Sequence, residues 1–329
     1  MKAVWIAFGI SGALAAAAAW PQPTSTGSVQ AYPVKSVRII APFAPGGSAD
    51  TLGRIAATKL TESLGQSFIV ENRPGAGGML GSELVSKSPP DGYTLVVSGV
   101  ASHVIAPALA AKPPFDPVRD FTHIALFGGP PAVFGVHPSL PVKDLKAFVA
   151  LARSRPHELS YGSPGIGTQG HLMAEIFRQR AKIDIVHVPY KGAAIAMVDI
   201  VAGNIHAIST TLTTASTQIR AGRSRALALS SEQRLPDYSG IPTFRERGYR
   251  NVVGTVWFSL SGPPGMPADI VARLNSEVRR ILQLPDVRAR LRGDGIEPNQ
   301  LDAKAFNDFL AAEVKRWAPV VRASGARPD

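Results

Sequence analysis

Apolar and polar positions along this chain follow two periods that take turns. Short apolar runs of β character, at Val37 to Pro42, Phe68 to Val70 and Thr94 to Ser98, predict strands. Between the first two lies Asp50 to Leu64, where Leu52, Ile55, Ala56 and Leu60 fall on one face of a predicted helix. The turn SPPDGY, Ser88 to Tyr93, punctuates this unit. The pattern restarts near Val133, with strands at Val133 to Val136, Leu159 to Gly162 and Ile185 to Val188, and helices at Leu145 to Arg153 and His171 to Arg180. Ala207 to Thr210 and Ala226 to Leu229 continue the second unit, and GTVWFSLS, Gly254 to Ser261, carries the chain back to the first. Two C-terminal stripes predict helices that cover the first unit: Ile270, Val271, Leu274, Val278 and Ile281, then Phe306, Phe309, Leu310, Val314 and Trp317. Strands alternating with helices predict βαβ units and largely parallel sheets, an α/β protein.

The first residues break this pattern. A basic start at Lys2, an apolar run from Val4 to Ala19 and small residues beyond it read as a secretory signal peptide over residues 1–31, with cleavage after Ala19 or, preferably, Ala31. The run is shorter than the ~20 residues that span a bilayer, and Pro21 and Pro23 follow it. The remainder of the 329 residues exceeds one comfortable core, so two domains are expected. With 45% hydrophobic and 18% charged residues the chain has ample apolar surface for packing.

A formal net charge of +11 raises nucleic acid, an anionic surface or an acidic ligand as partners. The basic residues are dispersed, with the densest run at Arg288 to Arg292, and no aromatic side chains interleave with them, which argues against nucleic acid. With no cysteine, the chain has no disulfide, no lipidated cysteine and no thiolate nucleophile.

Two glycine-rich turns carry the chemistry. APFAPGGSAD, Ala41 to Asp50, and GSPGIGTQGH, Gly162 to His171, each follow an apolar strand and lead into an amphipathic helix. Unpaired N–H groups at a helix start carry partial positive charge, and glycines let an anion come close. One such turn per unit predicts two half-sites facing across a cleft. Gly165 to Gly170 also spells the dinucleotide pattern G-x-G-x-x-G, but the acidic residue that should end the next strand is missing: Asp184 precedes HVPYKG. Ser163 sits in YGSPG, which lacks the first glycine of a nucleophile elbow and places Pro164 where an oxyanion-hole N–H is needed. The seven histidines show no metal-ligand spacing, and His171 and His187 read as hydrogen-bonded structural residues. No catalytic residue, cofactor or metal is expected.

Several motifs in order resemble one family: YPVKSVRIIAPFAPGGSADTLGR, VENRPGAGGMLGSE, PPDGYTL, YKGAA, AGRSRALAL and PDVRARL with EVKRW. From about Tyr32 to Arg327 the chain resembles the Bug-type substrate-binding receptors of tripartite tricarboxylate transporters. The resemblance implies a type II periplasmic binding fold of two α/β lobes, 32–131 with 255–329 and 132–254, with a ligand cleft between them and hinges near 129–134 and 250–257. It implies a periplasmic monomer that takes a small organic carboxylate and meets integral membrane transporter subunits. Its first ligand loop would be Phe43 to Asp50, with Gly46, Gly47 and Ser48 as donors, while Asp50 caps the helix and pairs with Arg54. Ser98 and Ser102 would reach in from SGVASH. Ser163, Gly165, Gly167, Thr168 and Gly170 would come from the opposite lobe, with Tyr190 and Lys191. The chain departs from the family in YKGAAIA and in AGNIH, where His206 takes an aspartate's usual place, leaving Thr210 and Thr211 to supply hydroxyls. A secreted hydrolase, a nicotinamide oxidoreductase and a receptor serving a sensor partner remain as alternatives.

Overall fold

In the computed structural model, residues 32–298 and 301–324 are described together with Met1. Both cleavage points of the expected leader lie outside the described residues. From Pro33 onward the chain forms one compact unit with two sheets.

The first sheet begins with β1 (Val37–Ala41), α1 (Ser48–Leu64), β2 (Phe68–Asn72), α2 (Met79–Ser86) and β3 (Thr94–Gly99). A π-helical turn at Ala101–Ile105 and the short α3 (Ala106–Leu109) lead to β4 (Thr122–Gly129). β1 pairs in parallel with β2 and β3, so its backbone is paired on both sides and its residues Ile39, Ile40 and Ala41 are wholly buried. α1 lies close on this sheet because Gly53 has no side chain: a Cβ there would come within 3.0 Å of Val97 Cγ2. Gly65, at φ 74°, ends the helix by donating its N–H to the Thr61 carbonyl.

The second sheet holds β5 (Ala132–Val136), β6 (Ser160–Ser163), β7 (Val186–Pro189), β8 (Ala207–Thr211) and β9 (Arg225–Leu229), with α4 (Leu145–Ser154), α5 (Gln169–Ala181), α6 (Ala193–Ala202) and α7 (Leu212–Arg220) between them. The chain then returns to the first sheet through β10 (Phe258–Gly262), α8 (Ala268–Ile281), α9 (Pro285–Gly293), β11 (Glu297–Pro298) and α10 (Ala303–Ser324). Strand orders are β11-β4-β10-β3-β1-β2 and β7-β6-β8-β5-β9. The expected stripes of α8 and α10 are anchored by Leu274, Val278, Ile281, Phe306, Leu310 and Trp317, all buried. Asn275 ties α8 to β4 by donating to the Ile124 carbonyl at 2.7 Å.

The sheets are mixed rather than largely parallel. The strands that enter directly after a crossing between sheets, β5 and β10, run antiparallel to both neighbours. A strand entering straight from the opposite lobe has no crossover helix to turn it parallel. The two crossings are also laced together. Val256 donates to the Pro130 carbonyl and Gly254 to that of Ser230, while Ser230 Oγ accepts from the Ala132 N–H at 2.8 Å. This pairing uses the backbone of residues 254–257, so β10 starts at Phe258 rather than at Gly254. A Cβ at Gly129 would sit 1.7 Å from the Val256 carbonyl oxygen, so glycine alone fits there.

The first lobe buries two imidazoles. His103 packs against Phe121 at 4.5 Å between ring centroids and bonds Ser102 Oγ through Nδ1. His123 bonds Ser261 Oγ through Nδ1 and the Pro117 carbonyl through Nε2, both at 2.9 Å. Burial disfavours the charged form of each: His103 is held well below the ordinary 6.5 and His123 at about 4. Both must remain neutral in the folded state, whereas the unfolded chain takes up their protons. Their contribution is complete above about pH 6.5 and is lost as pH falls toward 4. We expect the melting temperature to drop across that window in a calorimetric pH series, and His103→Phe to flatten the slope. An unchanged slope would show that His103 does not report on acid stability.

Candidate functional site

The loop between β1 and α1 is held by Asp50. This carboxylate is 5% exposed and reaches back to the Gly46 N–H at 3.0 Å. It also accepts from Arg54 Nε at 3.1 and 3.0 Å and from Asn72 Nδ2 at 3.0 Å. Asn72 further donates to the Phe43 carbonyl. Burial raises the carboxyl pKa, but the bonds from Arg54, Gly46 and Asn72 outweigh it and hold the group below its usual range. Asp50 thus braces the helix start and pairs with Arg54, and it takes up the Gly46 N–H that sequence reading had assigned to the ligand. Gly47, in the extended region at φ −85°, directly precedes the helix, whose first-turn N–H groups have no intrahelical acceptor.

The loop between β6 and α5 works differently from its glycine pattern. Thr168 caps α5 by accepting from the His171 N–H, and its hydroxyl donates to the Gly165 carbonyl at 2.7 Å. The Gly165 N–H is taken by Ser163 Oγ and the Gly167 N–H by His171 Nδ1, each at 3.2 Å. These glycines make room for protein rather than for an anion. A Cβ at Gly165 would lie 2.9 Å from the Tyr190 carbonyl, one at Gly167 2.6 Å from Leu109, and one at Gly170 2.3 Å from the Ser209 carbonyl. With the His171 N–H taken by the cap, the first-turn donors left at this loop are the N–H groups of Gln169 and Gly170.

The two loops meet. Ser48 Oγ and Thr211 Oγ1 share a hydrogen bond of 2.6 Å between the lobes. Beside it, a Cβ on Gly192 would touch Ala44 at 2.8 Å, and one on Gly46 would touch Ala194 at 3.3 Å. Around this contact lies a cavity of about 50 Å³. Gly47, Ser48 and Ala49 bring the start of α1 to it, and Thr168, Gln169 and Gly170 bring the start of α5. Phe43, Ala101, Ala193, Val256 and Phe258 form apolar walls, with Pro164 and Thr211 completing the lining. Every lining residue is uncharged, so what favours an anion here is the helix N-termini, those of α1 and α5 with α6 beginning at Ala193 beside them, rather than a lysine or arginine. A wider opening of about 540 Å³ lies along the crossings, next to Gly129, Pro131 and Trp257. It holds none of the expected site residues, and its Arg234, Arg316 and Glu313 are engaged in ion pairs.

Of the residues read from the sequence, Phe43, Gly47, Ser48, Thr168 and Gly170 line the cavity, and several others do not. Ser98 is turned into the first sheet, where its hydroxyl meets Ser259 and, at 2.7 Å, Ser261. Ser102 is spent on His103, and its neighbour Ala101 reaches the cavity instead. Tyr190 donates to Asp199 Oδ2 at 2.6 Å; burial and that bond push its hydroxyl up to about 12. Lys191 is exposed to solvent. Thr210 is wholly buried and is not in the lining; Thr211, one residue on and pointing to the other face of β8, takes its place. His206 accepts from the Ser160 N–H at 3.1 Å at the start of β6, which gives it a structural job. Ser163 is fully buried, with its oxygen 2.7 Å from His187 Nε2. His187 stacks on His171 at 4.2 Å and on Tyr161 at 4.8 Å, and burial followed by the His171 charge pulls its pKa to about 3. This Ser–His contact lies outside the cavity lining.

Sequence reading missed Gln169. It is 2% exposed, it lines the cavity, and neither Nε2 nor Oε1 has a hydrogen-bond partner among the described residues. Its signal was available: it is the residue directly after the helix cap, hidden among the glycines that drew attention.

Comparison with known proteins places this geometry in a family. The model for the tripartite tricarboxylate transporter family receptor matches residues 52–326. Protein BugT of Bordetella pertussis is 35% identical over 302 residues, covering 91% of this chain and 92% of BugT. Among solved structures, one described as a periplasmic transporter superposes with a TM-score of 0.88 at 36% identity, covering 90% of this chain and 99% of that one. An R. palustris protein with adipate gives a TM-score of 0.87 at 33% identity, covering 91% and 100%. MatC from Rhodopseudomonas palustris with bound malate gives 0.83 at 32%, covering 88% and 100%. The two α/β lobes have the periplasmic binding protein fold, and the chain belongs to the tripartite tricarboxylate transporter receptor family.

Proposed function

We propose that this chain is a periplasmic receptor that captures a small organic carboxylate between its lobes and hands it to the membrane subunits of a tripartite transporter. The observation that carries this reading is the convergence of helix N-termini from both lobes on one cavity with uncharged walls. A carboxylate there accepts from first-turn N–H groups of α1 and α5. Charge-assisted bonds of this kind contribute about 1.5 to 3 kcal/mol each in a site that excludes water. Two similar proteins, one with adipate and one with bound malate, agree with a ligand of this chemistry.

In this reading the lobes comprise residues 32–131 with 255–329 and residues 132–254, and they close about the laced crossings near 129–134 and 250–257. The bond between Ser48 and Thr211 belongs to the closed form. A ligand drives closure only as far as it binds the closed form better than the open one. Capture and release need no chemistry on the ligand, so the role of Ser163 is to bond His187 and Gly165, not to attack. A receptor of the same fold that signals to a sensor partner would keep every one of these contacts, and a pull-down from membranes separates the two roles.

A thermal-shift screen of organic acids tests the reading. A true ligand at a hundred times its dissociation constant adds about 2.7 kcal/mol of stability, with stoichiometric binding and no product. Turnover of an ester or amide that disappears in Ser163→Ala would instead support a hydrolase. Gly47→Val tests the first loop. A Cβ at Gly47 has the Ala44 carbonyl as its nearest neighbour, at 3.8 Å, and the backbone there is extended, so the variant folds at a cost on the order of 1 kcal/mol. Its branched side chain occupies the approach to the α1 N-terminus, and the ligand-induced shift should vanish. Retained affinity would remove this loop from the site.

A further inference from the structure

Gln169 is a buried polar side chain without a match. It is the first residue of α5, it lines the cavity, and its amide nitrogen and oxygen are both buried with no partner among the described residues. The other polar side chains in the lining are already engaged. Ser48 and Thr211 bond each other, Thr211 also meets Thr214 at 3.0 Å, and Thr168 donates to the Gly165 carbonyl. The amide end lies at the crossing side of the cavity: a Cβ at Gly254 would sit 3.5 Å from Gln169 Nε2. A buried primary amide left unpaired is costly, and folding alone gives no reason to place one here when leucine would fill the same space.

An amide offers donors and an acceptor together, so its best complement is a neutral group that also gives and takes a hydrogen bond. A carboxylate is acceptor-only, and none of the lining residues is a lysine, arginine or histidine that would neutralise a charge at this end. We infer that Gln169 sets the specificity of the site by reading a hydroxyl or carboxamide on the ligand, whose carboxylate sits at the helix N-termini. This rests on the carboxylate-receptor reading above. It names the class of substrate more closely: short acids that carry a neutral hydrogen-bonding group, preferred over analogues lacking it. The preference arises because the analogue leaves both amide atoms unpaired in a closed site.

Matched pairs test the inference by calorimetric titration: L-malate against succinate, lactate against propionate, and succinamate against succinate. The wild-type protein should bind the first member of at least one pair about tenfold or more tightly than the second. Gln169→Leu should erase that ratio, and the ligand-free variant should melt no lower than wild type, because it removes an unpaired amide. Gln169→Glu should weaken every acid, since it sets a carboxylate beside the bound one. Equal affinities within all three pairs, a ratio that survives in Gln169→Leu, or a large loss of ligand-free stability in that variant would each overturn the role of Gln169 while leaving the receptor intact. If organic acids in general, including these five ligands, fail to bind the wild-type protein, the receptor reading fails and this inference falls with it.

Discussion

Every α-helix begins with N–H groups that its own backbone cannot satisfy, and this protein brings the starts of α1 and α5, with that of α6 beside them, to one small cavity. That shared shortage of acceptors is the constraint on which the rest of the molecule turns. With no charged side chain in the wall, it is what favours an anion in the proposed carboxylate site. Both lobes supply such ends. In the proposed receptor neither lobe alone surrounds the ligand, and the two must meet for both to act on it.

The surroundings of the two ends keep those donors available. Asp50 would repel an anion if it faced the cavity, but its oxygens are spent on Arg54, Asn72 and the Gly46 N–H. The second loop uses Thr168 as its cap and turns the Gly165 and Gly167 N–H groups inward. Its glycines serve close packing, against Tyr190, β8 and, across the cleft, Leu109. Glycine is thus needed here for approach of protein to protein. The same device recurs where the chain crosses between lobes, since only a residue without a side chain fits between Gly129 and the Val256 carbonyl. The crossings are bonded to one another, which lets two sheets of different strand order remain one compact unit.

Much of this was legible in the linear chain. The strands and helices that periodicity picked out were placed to within a few residues, because burial of one face is a local, repeating demand, whereas β4, α2, α6 and α7 were not picked out. Two strand-loop-helix devices with glycines marked two helix starts that line the cavity, and Asp50 with Arg54 one turn later read as a helix-start pair. Phe43, Gly47, Ser48, Thr168 and Gly170 followed from those devices, since a loop that ends at a helix start exposes its last residues whatever lies opposite.

What the sequence by itself determined was therefore the class of fold, the two helix starts and the order of the elements. Tertiary structure alone decided which groups remain free once the lobes meet. Ser98 looked like the polar end of a strand, yet Ser259 and Ser261, some 160 residues on, claim it. Thr210 and Thr211 differ only in which face of β8 they occupy, and strand pairing sets that face. Gln169 acquires its meaning from having no partner, a property of everything packed around it. Local periodicity follows from neighbours along the chain, whereas the satisfaction of a buried hydrogen bond depends on atoms that only folding brings within 3 Å.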